Sequence, residues 1–210
     1  MRKIKILGLA IVAVCVLGSI AVASASAAPE WLVGGAKMES SLLVESEGNL
    51  LLEDMTLGVD VTCSGKFIGT VGPGAKDLIT EVLDLENKNP LSCKASICEG
   101  ELVAVTPVNL PWETELLLIT VGGKEIMVDM LLGSPGYSIS CKTILGTTKD
   151  VCTGATASEE INVTGGVEGV FSENEEITAP GTCEVGGAKS GLVVGSGVSK
   201  PDSGTLTVSE

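Results

Sequence analysis

Six cysteines follow residue 27 of this 210-residue chain, and they constrain its fold more than any other feature. They are Cys63, Cys93, Cys98, Cys141, Cys152 and Cys183. An even number of cysteines in an exported chain indicates disulfides, here three. Spacing argues against other uses, because Cys93 and Cys98 enclose four residues instead of the two of a redox motif, and no pair has the close spacing of a structural zinc site. The sequence therefore predicts a disulfide-stabilised fold.

The first 27 residues predict export. Three cations precede an apolar run over 6–23, and the small residues at 25–27 form a signal-peptidase site, which predicts cleavage after Ala27. The alternative is an uncleaved anchor, since a run of this length barely spans a bilayer. We expect a protein that is secreted or associated with the cell envelope.

Residues after the leader favour short strands. Apolar residues alternate or form short blocks bounded by Gly, Pro, Asn and Ser, and helical patterns are nearly absent. We therefore predict an all-β fold, an antiparallel sandwich or barrel of about ten or more strands. The clearest hairpin is WETELLLITVGGKEIMVDMLL, with Gly122-Gly123 as its turn. The other predicted strands are 55–63, 66–71, 78–85, 101–106, 137–145, 160–164, 167–172, 190–195 and 204–208.

The predicted organisation is a signal peptide at 1–27, an N-terminal segment at 28–45 and a β domain at 46–210. Two packed halves, about 46–110 and 111–210, are an alternative, because VDVTCSGKFIGT and YSISCKTILGT are weakly similar. Each predicts a strand that ends in an inward-facing cysteine. The similarity suggests the pairs Cys63–Cys93, Cys141–Cys183 and Cys98–Cys152, with a local Cys93–Cys98 bridge as the rival.

Charge and composition exclude several classes of function. Residues 28–210 carry ten lysines and no arginine against 27 acidic residues, a net charge near −17, which repels nucleic acid and anionic membranes. The chain contains no histidine, which excludes Ser-His-Asp and Cys-His catalysis and histidine-ligated zinc. The glycines of 65–74 lack the spacing of a phosphate-binding loop, and Gly72, Pro73 and Gly74 are explained better as a turn.

Carboxylates are the remaining reactive groups. Glu113 and Glu115 lie beside Trp112, and on a strand they share a face next to an aromatic side chain, an arrangement from which a sugar-handling site could be built. The simpler interpretation is a solvated strand face with Trp112 in the core. Acidic residues at two other places could bind calcium weakly, although none has the spacing of a dedicated loop. They are Glu159, Glu160, Glu173, Glu175 and Glu176.

Several phrases resemble those of a group of uncharacterised exported bacterial proteins. They are CSGKFIGTVGPG, VNLPWETEL, GYSISCK, KDVCTG, TCEVGGAKSG and GTLTVSE, and the resemblance covers about residues 45–210. No activity, ligand or catalytic residue follows from it.

The function expected from these features is non-enzymatic binding or a structural role, at the cell envelope or in the medium. We predict no catalytic, cofactor or metal site. The partner stays open between an envelope component, a basic partner and weakly bound calcium. The alternatives are a secreted hydrolase that uses paired carboxylates, with Glu113 and Glu115 as its acids, and an inhibitor of secreted proteases.

Overall fold

The computed structural model describes residues 28–54, 58–95, 98–144, 146–185 and 189–209. The predicted signal peptide lies outside these residues. The described chain contains sixteen strands and one 3-10 turn, Glu99–Glu101, and no α-helix. The strands are β1 Glu30–Val33, β2 Ala36–Lys37, β3 Leu42–Asp54, β4 Val59–Val71, β5 Lys76–Asp84, β6 Leu91–Lys94, β7 Leu102–Val108, β8 Trp112–Val121, β9 Lys124–Leu131, β10 Gly136–Thr143, β11 Gly146–Thr153, β12 Thr156–Val163, β13 Gly166–Phe171, β14 Gly181–Cys183, β15 Lys189–Pro201 and β16 Leu206–Ser209.

Thirteen strands form one antiparallel sheet that closes into two rings. The first ring runs β3-β4-β5-β8-β9-β12-β13-β15 and closes where β13 pairs with β15. The second runs β3-β4-β6-β7-β10-β11-β14-β15 and closes where β4 pairs with β6. The prediction of an all-β antiparallel fold is confirmed, and ring closure corresponds to the barrel alternative. Among the residues that the structure describes, no helix has the length and apolar character needed to cross a bilayer.

Three long strands, β3, β4 and β15, form a wall common to both rings. Each has thirteen residues, and β3 pairs with β4 along its whole length. On β15, residues 195–199 pair with β13 of the first ring, and residues 189–191 pair with β14 of the second. The rings therefore lie end to end along this wall, and each contains strands from before and after residue 110.

The predicted hairpin is confirmed as β8 and β9. Gly122 and Gly123 form the turn between Val121 and Lys124, and both have positive φ, 58° and 81°. Two consecutive residues with positive φ are the requirement of a two-residue turn that matches strand twist. The sequence identified this turn because glycine adopts that conformation without steric cost.

A small sheet covers the outer end of the first ring. Strand β1 pairs with β2 and with β16. Trp31, Leu206 and Val208 pack in a buried cluster with Leu116 and Val167 of the ring. Asn162 holds this sheet in place, because its side chain accepts a hydrogen bond from the backbone N–H of Val208 and donates one to its carbonyl.

The structure has three disulfides, and two of the suggested pairings were wrong. Cys63–Cys93 is confirmed. The other two are Cys98–Cys141 and Cys152–Cys183, instead of Cys98–Cys152 and Cys141–Cys183. The physical reason is strand register: Cys152 lies directly opposite Cys183 on paired strands, whereas Thr148 is the residue of β11 opposite Cys141.

All three disulfides lie in the second ring, and two of them join strands that share only one or two residue pairs. Strands β4 and β6 share a single residue pair, Thr62 with Lys94, and Cys63–Cys93 joins the same two strands. Strands β11 and β14 share only two pairs, and Cys152–Cys183 joins them. The disulfides therefore fasten the ring where backbone hydrogen bonds are few.

Gly191 leaves space for the Cys152–Cys183 disulfide. A Cβ at this position would lie 2.8 Å from the Cβ of Cys152 and 2.9 Å from the Sγ of Cys183, closer than packed atoms approach. We expect Gly191→Ala to lower the free energy of unfolding by about 1–3 kcal/mol because overpacking forces a backbone shift. Urea denaturation measures this loss, and the exposed Lys200→Ala on the same strand is the control. Equal stability of both variants would contradict this packing.

Candidate functional site

Glu113 and Glu115 lie on the outer face of β8. The burial pattern alternates along this strand, with Trp112 and Thr114 buried and Glu113 exposed. Trp112 packs inward against Phe67 at 6.4 Å between centroids, and its Nε1 donates to the carbonyl of Val108 at 2.7 Å. The tryptophan and the two glutamates therefore point to opposite faces. This confirms the simpler interpretation of a solvent-facing strand face with Trp112 in the core, and the glutamates do not lie beside an aromatic surface.

The acidic residues that could bind calcium weakly separate in the same way. Glu159 and Glu160 are neighbours on β12 and point to opposite faces, and Glu160 is buried. Glu173, Glu175 and Glu176 lie exposed in the loop after β13. The structure does not bring these two groups together into one oxygen-lined site.

An apolar cavity of about 90 Å³ lies where the two rings meet. Its lining includes four of the five aromatic side chains of residues 28–210: Phe67, Trp112, Tyr137 and Phe171. The Tyr137 hydroxyl donates to the carbonyl of Glu53 at 3.3 Å, so the polar end of this side chain is satisfied by the wall. Burial, together with the nearby charge of Asp54, raises the pKa of Tyr137, which keeps the hydroxyl neutral. Tyr137 therefore contributes an aromatic, uncharged surface to the cavity.

A second cavity, of about 80 Å³, lies inside the first ring. Most of its wall is apolar, and we call it the polar cavity because carboxyl groups also line it. Three carboxyl groups of neighbouring strands line it: Asp77 of β5, Asp129 of β9 and Glu160 of β12. We call them the acid cluster. Thr114 of β8 donates its hydroxyl proton to Oδ1 of Asp77, and Ser158 donates to Oε1 of Glu160 at 2.6 Å.

The acid cluster holds protons near neutral pH. Burial raises the pKa of Asp77 to about 10, and the charges of Asp129 and Glu160 add to this effect. Burial also raises the pKa of Asp129 to about 7, although hydrogen bonds from Thr114, Asp77 and the backbone of Glu115 lower it. Burial and the charge of Asp129 raise the pKa of Glu160, the third member of the cluster, to about 8. Asp77 and Asp129 therefore share a proton, as close carboxyl groups in a dry environment do.

Two buried polar atoms at this cavity lack hydrogen-bond partners. They are Oδ1 of Asp129, an acceptor, and Nε1 of Trp31, a donor. Asp129 is 8% exposed and Trp31 is 2% exposed, so bulk water does not readily satisfy them. Buried polar groups are nearly always paired, and exceptions point to an unseen water, ion or ligand. The polar cavity thus has the features of a site for a polar occupant.

A third group of acidic residues lies in the second ring and does not form a metal site. Within the described residues, Asp54, Asp150, Cys152 and Cys183 are the one group of three or more such side chains whose ligand atoms lie within 4.8 Å of one another. The two sulfurs are joined in a disulfide and are not available as thiolates. Asp150 Oδ1 accepts hydrogen bonds from the backbone N–H groups of Val151 and Val185 at 2.7 and 3.0 Å. These bonds give the buried Asp150 carboxylate a structural role.

Sequence reasoning missed Asp77 and Asp129 and gave Glu160 another role. Asp129 lies in the apolar run IMVDML, where residues on both faces are apolar, so alternation does not reveal which face is inside. A carboxylate within such a run was the available signal, because a charged residue between buried neighbours is rarely accidental.

Compared with protein families, with curated proteins and with solved structures, the chain matches none. The fold and its cavities define the class: a disulfide-bonded all-β protein of two fused strand rings, with one apolar cavity and a second cavity lined in part by carboxyl groups. Three disulfides in a chain of this size fit a protein stabilised for an oxidising environment.

Proposed function

We propose that this chain is an exported, non-enzymatic binding protein that holds a small apolar molecule in the apolar cavity. The observation that supports the proposal is the concentration of aromatic side chains in the lining of the apolar cavity. A chain with so few aromatic residues places Phe67, Trp112, Tyr137 and Phe171 around a void instead of filling it. Close-packed interiors leave few voids of this size, and ligand sites are apolar cavities with rigid walls.

The cavity volume limits the ligand to a short alkyl chain or a single small ring. At about 90 Å³ the apolar cavity is smaller than the engineered void of roughly 150 Å³ that binds benzene. Burial of each methylene contributes about 0.8 kcal/mol, so an alkyl chain of this size binds with a dissociation constant of about 1 mM. Export and the missing histidine agree with a role in binding, and the resemblance to exported bacterial proteins stays a prediction.

A cavity-filling variant tests this proposal. Val193 of β15 lines the apolar cavity, and Val194 is its neighbour on the opposite face of the strand. We expect 1-hexanol to bind the exported protein in isothermal titration, Val193→Phe to weaken binding at least about tenfold, and Val194→Phe to leave it unchanged. No binding by the unmodified protein, or equal binding by both variants, would overturn the proposal.

A further inference from the structure

The polar and apolar cavities are neighbours inside the molecule. Four side chains line both of them: Leu50, Phe67, Leu131 and Phe171. The apolar cavity and the polar cavity therefore adjoin at these four side chains. A ligand with an apolar part on one side and a polar group on the other matches this arrangement.

The polar group that fits is a hydrogen-bond donor. Oδ1 of Asp129 is a buried acceptor without a partner, and the other cluster members, Asp77 and Glu160, also present carboxyl oxygens. None of the four ion pairs in the described part of the chain includes a member of the cluster. Gly169 keeps the space open, since a Cβ there would lie 2.9 Å from Oε1 of Glu160.

The charge that fits is positive. With one proton shared between Asp77 and Asp129, that pair carries one negative charge, and Glu160 adds a second when it is ionised. A divalent metal ion fits less well, because the three carboxyl groups are not within the 4.8 Å of one another that a shared ion requires. An ammonium group donates separate hydrogen bonds and needs only one or two carboxyl oxygens, so it does not require all three groups to converge.

We propose that the acid cluster recognises the primary ammonium group of a ligand whose short alkyl part occupies the apolar cavity. This inference rests on the proposed function and names the chemistry of its ligand. Asp129 accepts a hydrogen bond from the ammonium group, and Glu160 supplies a second carboxylate. The class of ligand is a small alkylamine.

Binding of the amine depends on pH in a defined direction. The ammonium group favours ionised carboxylates, so binding releases protons from Asp129 and Glu160, and affinity rises between pH 6 and 9. Asp77, Asp129 and Glu160 are the titratable groups that line the polar cavity. The other strands around it present Ser46, Gly69, Gly169, Gly197 and Ser199, which do not titrate. Binding of an alcohol of equal length has no such pH dependence.

The test compares n-hexylamine with 1-hexanol in isothermal titration of the exported protein at pH 6 and pH 8. We expect n-hexylamine to bind at least about tenfold tighter than 1-hexanol at pH 8, because a buried charge-assisted hydrogen bond is a strong one. We expect Asp129→Asn and Glu160→Gln each to reduce this ratio to below about threefold while 1-hexanol binds as before. Glu159→Gln, one residue away on the outer face, is the matched control and keeps the full ratio.

The outcomes separate this inference from the proposed function. If 1-hexanol binds and n-hexylamine binds no better, the ammonium site is overturned and the apolar cavity stands. If the amine preference survives in both Asp129→Asn and Glu160→Gln, the acid cluster is overturned as its source. If neither compound binds, both proposals fail.

Discussion

The free energy of unfolding falls as the pH rises from 5 to 9, opposite to the usual behaviour of an acid-sensitive protein. The pKa values of Asp77, Asp129 and Glu160 are raised in the folded state, so between about pH 4 and these values the folded chain binds more protons than the unfolded chain. Stability is therefore greatest at low pH and is lost as the pH rises through the folded pKa values. One pKa unit corresponds to about 1.4 kcal/mol, and Asp129 alone, with a folded pKa of about 7, accounts for about two units above pH 5. We therefore expect a total loss of at least roughly 3 kcal/mol, measured by urea denaturation.

Asp129→Asn isolates the contribution of the acid cluster. The amide keeps the shape of the side chain and cannot ionise, so we expect the variant to be more stable than the unmodified protein at pH 9, by about 2 kcal/mol, and to depend less on pH. Glu113→Gln removes one charge from the outer face of the same sheet and controls for net charge. Stability that increases from pH 5 to 9, or an equal effect of both substitutions, would contradict the burial of ionisable carboxyl groups in the first ring.

Loss of the Cys63–Cys93 disulfide has the second large effect. We expect the double substitution Cys63→Ala with Cys93→Ala to lower the free energy of unfolding by about 3–4 kcal/mol, because the bridge closes a loop with a sequence separation of 30 residues. The bridge also joins strands that share one residue pair. We therefore expect amide hydrogen exchange to become faster in β6 and β7 than in β8 and β9.

Cys98→Ala with Cys141→Ala is the matched control for this experiment. That bridge has a sequence separation of 43 residues and joins the loop after β6 to β10, and it does not join β4 to β6. We expect it to cost similar stability without selective exchange in β6. Equal acceleration of exchange in both rings, in either variant, would show that the rings do not open separately.

Local features of the fold were predictable from the sequence. The hairpin of β8 and β9 followed from Gly122-Gly123, because two glycines between alternating strands specify a tight turn. The inward position of Trp112 followed from the small number of aromatic residues available to fill the core. Disulfide formation followed from the even number of cysteines, and one of the three pairings was right.

Features that depend on distant pairing were not predictable. Ring closure requires β13 to pair with β15 and β4 to pair with β6, and no local pattern indicates which strands meet. The wrong cysteine pairings have the same origin, since Cys98 meets Cys141 only after β7 and β10 become neighbours. The acid cluster was hidden because Val128, on the outer face of β9, is also fully buried beneath Ile177, which makes both faces of the strand apolar.

The most direct test of the proposed binding site is a crystal structure of the protein soaked with n-hexylamine at pH 8. We expect the alkyl chain in the apolar cavity between Phe67, Trp112 and Tyr137, with the nitrogen within hydrogen-bonding distance of Oδ1 of Asp129. An alkyl chain on the surface, with both cavities empty or filled only with water, would contradict the claim that the two rings enclose a binding site.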